Sequence, residues 1–370
     1  MARDFHGGRV DIAGARKIPK ALGDKLRIGF ARAGDVLLTH KGTVGLVAMV
    51  PEVQDYVMLT PQVTYYRTNP AALLNTYLKY AFQSPFFRHQ LESYSAQSTR
   101  PYIGITAQKD LELEMPPPRL QRRIADTLSA YDELIENNQR RIEILEEMAR
   151  RIYREWFVYF RFPGHENHPR VPSPLGEIPK GWGVRTLGEI AEDVRRNVPK
   201  GPLELPRPYV GLEHIPRRSL ALDAWEMTAE LGSNKLEFKK GEVLFGKIRP
   251  YFHKVSVAPF DGLCSADTIV IRARQPEHYA VVAACVSSDE FVAEASATAN
   301  GAKMPRANWG VLEKYQVVVA CGEVAEEFSS TMTGLIEQQQ ALVQQVQVLR
   351  RTRDLLLPRL LSGHIKLDAA

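Results

Sequence analysis

The chain has 370 residues, 44% hydrophobic and 25% charged, an ordinary globular balance with room for two or three domains. Its formal net charge of +5, from 48 basic and 43 acidic side chains, is too mild to argue for nucleic acid by itself. No apolar run approaches the ~20 residues needed to span a bilayer. Cys264, Cys285 and Cys321 are too scattered for metal-type pairing, and the charged, glycine-rich first ten residues are unlike a signal peptide. Free thiols in a reducing cytoplasm are the expectation.

The first segment, residues 1–117, carries 14 basic and 10 acidic groups, net +4, and reads as short strands separated by turns. Val36-Leu37-Leu38-Thr39 follows the turn Ala33-Gly34-Asp35. Val44 to Val50 ends at Pro51, and Gln62 to Tyr66 continues the pattern. Helices are predicted over 71–82 and around 85–93, and Leu111 to Met115 alternates as a closing strand. Prolines 116–118 stop that strand, and a proline suits the first turn of a long helix over 118–160. That helix is neutral, with eight groups of each sign. A proline-rich linker covers 161–175.

The second mixed segment, 176–322, holds 19 basic and 18 acidic groups and repeats the first. Gly241 to Phe245 echoes Gly34 to Leu38, Val255 to Pro259 echoes Leu46 to Pro51, and Thr268 to Arg272 echoes Val63 to Arg67. Tyr315 to Val319 echoes Leu111 to Met115. A last helix over 323–362 stops at Ser362-Gly363, leaving a tail of 363–370. The repeat is uneven at its start. Gly176 lies 65 residues before Gly241, whereas only 33 residues precede Gly34, so the first module is expected to be shortened at its N-terminus.

Both long helices carry an apolar ladder whose steps alternate between four and three. The first runs Ile124, Leu128, Tyr131, Ile135, Asn138, Ile142, Leu145, Ala149, Ile152, Trp156. The second runs Phe328, Met332, Leu335, Gln339, Leu342, Val346, Leu349, Arg353, Leu356, Leu360, 204 positions later (328 − 124). A mean spacing of 3.5 residues is a supercoil seam, carried chiefly by Leu128, Ile135, Ile142, Ile152, Leu335, Leu342, Leu349 and Leu356. A compact module between the helices favours an antiparallel pair. About 38 helical residues span roughly 57 Å, some one and a half turns of B-DNA. Asn138 and Gln339 interrupt the seam and can fix its register, and Arg353 is expected to carry its charge out to water.

No phosphate-binding glycine loop, dinucleotide fingerprint or amino-methyltransferase tetrapeptide occurs. His165 and His168 form at most half a metal site, so no metal is assigned. Asp223, Glu237 and Lys239 loosely resemble a nuclease set. Nucleic-acid signals are more specific. Lys247 to Lys254 interleaves cations with aromatics, and alternation on a strand or hairpin would place Lys247, Arg249 and Tyr251 on one face. A second loop holds Lys303, Arg306 and Asn308. The matching first-module positions are Lys41 and Thr43 in one loop, Arg100 and Tyr102 in the other.

With these segments in this order, the chain resembles the specificity subunits of type I restriction–modification systems. The carriers are Gly241 to Tyr251, Ala258 to Asp267, Gly34 to Gly45, Pro116 to Ala125, Trp156 to Val158, Gly176 to Trp182 and Leu360 to Lys366. The resemblance implies an α+β chain with two target-recognition domains separated by two long helices in an antiparallel coiled coil. It implies a non-catalytic subunit that reads a bipartite double-stranded DNA target. Partner modification subunits would methylate adenine with S-adenosylmethionine, and restriction subunits would use ATP and magnesium, leaving this chain without a cofactor. The rival readings are a coiled-coil scaffold with two protein-binding modules and a stand-alone nuclease.

Overall fold

The computed structural model describes residues 2–26, 29–95 and 101–365. They divide into two compact units whose boundaries fall inside the long helices. One comprises Met1–Glu136 with Val348–Ala370, the other Asn137–Gln347. Each unit therefore contains one mixed module and a stretch of both helices.

In the first unit, β1 (Val36–Thr39) is central in an antiparallel trio with β2 (Val47–Met49) on one side and β3 (Val63–Tyr66) on the other. All four β1 residues are buried, as a strand covered on both faces requires. Two helices follow, α1 (Asn75–Ala81) and α2 (Pro85–Ser95), then the long α3 (Pro118–Tyr153). In the second unit the trio recurs around β5. A short strand, β4 (Ala191–Asp193), joins β5 (Val243–Gly246), β6 (Val255–Val257) and β7 (Thr268–Ala273) in the order β4-β7-β5-β6. Helices α4 (Tyr279–Val286) and α5 (Asp289–Ala297) follow, and α6 (Gly322–Leu361) closes the chain.

The turn into each central strand is built the same way. Gly34 and Gly241 sit at φ +82° and +87°, where only glycine is comfortable. The next residue is a buried acid. Asp35 accepts from the Arg32 amide (2.8 Å) and from both arms of Arg67 (2.8 and 2.6 Å). Glu242 accepts from the Lys239 amide (2.8 Å) and both arms of Arg196 (2.9 and 2.7 Å). Glu242→Ala would leave a part-buried guanidinium and an amide without their acceptor. The expected loss is about 2–3 kcal/mol of stability, read by chemical denaturation.

Several expectations need correcting. Residues 111–115 form no strand. The equivalent Gln316–Val319 is a strand because it pairs with Gly183–Thr186, and the described residues offer 111–115 no such partner. Leu111 and Leu113 instead pack on the first module's core. The helix predicted to reach 160 is α-helical to Tyr153 and then widens into a π turn over Arg154–Val158. The linker 161–175 is ordered: Arg170–Ser173 forms a hairpin with Gly176–Pro179. Within it His165 Nδ1 bonds the Phe162 carbonyl and His168 Nε2 that of Lys180, both at 2.9 Å, which ties the segment to its own hairpin. The extra residues of the second module supply four strands, Arg196–Val198, Lys235–Phe238, Gly201–Val210 and Glu226–Leu231, which form a five-stranded sheet with Gly262–Ser265.

In each unit α3 and α6 run antiparallel. In the first, Ile124, Leu128 and Leu360 share one buried cluster with Leu356 beside it, and Arg353 reaches Asp132. In the second, Trp156 and Phe157 pack on Phe328, and Asn138 donates to Gln345 (3.2 Å). Ile135, Leu335 and Leu342 are buried; Ile142, Ile152, Leu349 and Leu356 are half-buried. Gln339 is fully buried with its amide nitrogen unpartnered, and Arg353, expected in water, lies in an ion cluster.

Candidate nucleic-acid interface

In each module one candidate loop starts from the central trio, and the other follows the second of the two helices behind it. The first loop is the hairpin tip joining β1 to β2, or β5 to β6. It is closed by Thr39 N–H donating to the Leu46 carbonyl (3.0 Å) and Gly246 N–H to that of Lys254 (2.9 Å). The second loop precedes the short helices Ile105–Lys109 and Trp309–Leu312. Separated in sequence by about sixty residues, the two loops are held together in both modules by matching backbone bonds.

In the first module Ile103 N–H donates to the His40 carbonyl (2.9 Å), and Gly42 N–H to Pro101 (3.1 Å). In the second, Ala307 N–H donates to the Lys247 carbonyl (3.0 Å), and Arg249 N–H to Pro305 (2.7 Å). Between these bonds Lys41 faces Tyr102, and Ile248 faces Arg306. A third bond ties the first loop to the strand behind it, from His40 N–H to Gln62 (2.9 Å) and from Lys247 N–H to Asp267 (2.8 Å). The structure thus brings together Lys41 with Tyr102, and Lys247 and Arg249 with Arg306. Nothing in the spacing of these loops announces that they pair.

The expected alternation of Lys247, Arg249 and Tyr251 does not occur. Strand β5 ends at Gly246. Arg249 and His253 take left-handed backbone (φ +50° and +52°), and a 3-10 turn spans Pro250–Phe252 between them. This tight turn leaves Tyr251 55% exposed, matched by Tyr102 at 52%. Two cations lie over the Phe252 ring: the Arg217 guanidinium at 4.2 Å from its centre and that of Arg249 at 5.9 Å. Arg217 was not anticipated. It lies 37 residues from its bridge partner Lys254 (254 − 217), and nothing local in Pro216 to Ser219 announces that pairing.

Charge is distributed unevenly. Lys247 is half-buried and donates to the Ala266 carbonyl (3.1 Å); burial pulls its ammonium below the usual lysine range, with Asp193 opposing. Burial raises the Asp193 carboxyl, one oxygen of which has no partner. The Arg249 Nε is likewise buried without a partner. Arg306 meets Asp267 at 3.4 Å in an exposed pair that is readily exchanged for another anion. Lys303 and Thr43 are exposed. Asn308 caps the helix Trp309–Leu312 by accepting from Gly310 N–H (2.9 Å), so its side-chain oxygen is occupied. Lys254, within the same run, donates to the Leu212 carbonyl. In the first module Lys41 lies over Tyr102 at 6.0 Å, and buried His40 bonds Thr64 (2.8 Å). Arg100 lies outside the described residues.

Of the nuclease-like set, Glu237 is held by Arg207 (3.0 Å) and Lys239 (2.8 Å), and the Asp223 carbonyl accepts from Gln347. Among the described residues no three His, Cys, Asp or Glu side chains converge as a metal site. No described helix is long and apolar enough to cross a membrane.

Residues 19–147 match the family model described as the type I restriction modification DNA specificity domain. The MjaIX specificity subunit of Methanocaldococcus jannaschii is 25% identical over 347 residues, covering 90% of this chain and 78% of the relative. The chain is a homologue of type I specificity subunits. The EcoDI specificity subunit of Escherichia coli is 28% identical over 204 residues, 49% of this chain and 46% of that one. The crystal structure of an S subunit from M. genitalium aligns over 91% of this chain and 84% of its own, with a TM-score of 0.57 at 16% identity, a likeness of fold. The matched relatives are named specificity subunits, and the matched family model is described as a DNA specificity domain.

Proposed function

We propose that this specificity-subunit homologue reads a bipartite double-stranded DNA site, each half by one module's clasped loops, and that it directs adenine methylation and restriction by partner subunits. The supporting observation is the repetition of one clasp, with the same backbone bonds, at the cation- and aromatic-bearing loops of both modules. Cations beside exposed tyrosines suit phosphates and base edges, and a rigid backbone clasp holds them at fixed spacing. S-adenosylmethionine, ATP and magnesium would belong to the modification and restriction subunits.

The test is Lys247→Ala with Arg249→Ala in the reconstituted complex, with anisotropy on cognate duplex at several salt concentrations. Affinity should fall roughly tenfold or more, and the salt slope should flatten by about 2. Unchanged affinity at physiological salt would refute this reading and favour a protein-binding scaffold.

A further inference from the structure

The 204-residue offset pairs each contact between a module and the helices with a counterpart in the other unit, and some of the counterparts are chemically opposite. In the first unit, Lys79 of α1 has an 8% exposed side chain and bonds Asp132 of α3 at 2.7 Å. Tyr80 donates to the same carboxylate oxygen (2.8 Å), and Arg353 of α6 reaches the other at 2.7 Å. Burial opposes ionisation of Asp132, but Lys79, Arg353 and Tyr80 outweigh it and hold the carboxyl below its usual range. The counterparts in the second unit are Ala283 (79 + 204), Ile336 (132 + 204) and Ala149 (353 − 204). All three are buried in one apolar core.

Two further locks are equally unmatched. Gln121, with no exposed surface, accepts from Leu74 N–H (2.9 Å) and donates to the carbonyls of Ala72 (2.9 Å) and Pro116 (2.8 Å). Its counterpart Ala325 packs against apolar core. Conversely, buried Glu146 accepts from the Ser219 hydroxyl and the Ala221 amide, and its counterpart is Arg350 (146 + 204).

We propose that these polar contacts form a seat code, in which the Lys79–Asp132–Arg353 set makes the first half of the chain accept α6 and the apolar set makes the second half accept α3, excluding pairing of either half with its own kind in a second copy. The geometry follows from the offset. If two second halves paired, Arg353 of one copy would take the place of Ala149 beside Ile336 and Ala283 of the other, a buried guanidinium with no carboxylate. If two first halves paired, Ala149 would take the place of Arg353, and Asp132 would lose one of its two cations. Uncompensated buried charge is the strongest available device for rejecting a wrong partner. The inference does not depend on what the loops bind.

The test uses the full chain. Lys79→Ala, Asp132→Ile and Arg353→Ala together copy the second seat into the first. Wild type and variant are unfolded in denaturant, refolded at equal micromolar concentration and separated by size exclusion with native mass measurement. The self-associated fraction of the variant should rise about tenfold or more over wild type. Asp132→Asn, which keeps shape and removes one charge, should move it in the same direction by less, and it decides the matter if the triple variant fails to refold. An oligomer distribution equal to wild type, in the triple variant or in a folded Asp132→Asn, overturns the proposal.

Discussion

Phe328→Ala is expected to remove about 4 kcal/mol of stability, with a clear drop in the denaturant midpoint of the unit that contains it. Phe328 is 2% exposed. Its ring meets Phe157 edge-on at 4.5 Å and Trp156 at 5.7 Å, and Phe157 in turn leans on Trp182 at 5.2 Å. These four aromatics join both long helices to the start of the second module. Truncation would leave a cavity that stiff neighbouring rings cannot collapse into, so transfer and cavity costs add. A loss under about 1 kcal/mol would show that the aromatic cluster is soft.

Lengthening both long helices should change the DNA site recognised. One heptad inserted after Glu136 and another after Gln347 keep each apolar ladder in phase, because seven residues are two turns of the seam. Each helix grows by about 10 Å, close to three base-pair steps of B-DNA. The preferred gap between half-sites should therefore widen by about three base pairs, read by sequencing the methylated positions left by the reconstituted complex. An unchanged gap would mean that the helices do not set it. An insertion of five residues serves as the control: it throws the ladders out of phase and should abolish folding.

The duplicated organisation was legible because it rests on period and order. The ladder from Ile124 to Trp156 needs only one residue type at one spacing, and a buried central strand such as Val36–Thr39 declares itself as an apolar run behind a glycine turn. Legibility failed where a residue's state depends on a distant partner. Leu111 to Met115 alternates like a strand but lacks what Gly183–Thr186 supplies to Gln316–Val319. Arg353 looks like a surface charge until Lys79 and Asp132, hundreds of positions away, are folded against it. The chemistry of Lys247, Arg249 and Tyr251 is plain in the sequence, yet their placement follows from left-handed backbone at Arg249 and His253, which no local spacing encodes. Arg217 was missed for the same reason.

The clasp between the paired loops has a consequence for how such a reader changes its target. Its bonds run between main-chain atoms at His40, Gly42, Pro101 and Ile103, and at Lys247, Arg249, Pro305 and Ala307, so they tolerate a change of side chain wherever the donor is not made proline and the left-handed Gly42 (φ +80°) is kept. If the loops read DNA as proposed, the side chains facing outward can be exchanged one at a time while the frame that carries them stays folded, giving a lineage room to acquire new sequence preferences through single substitutions.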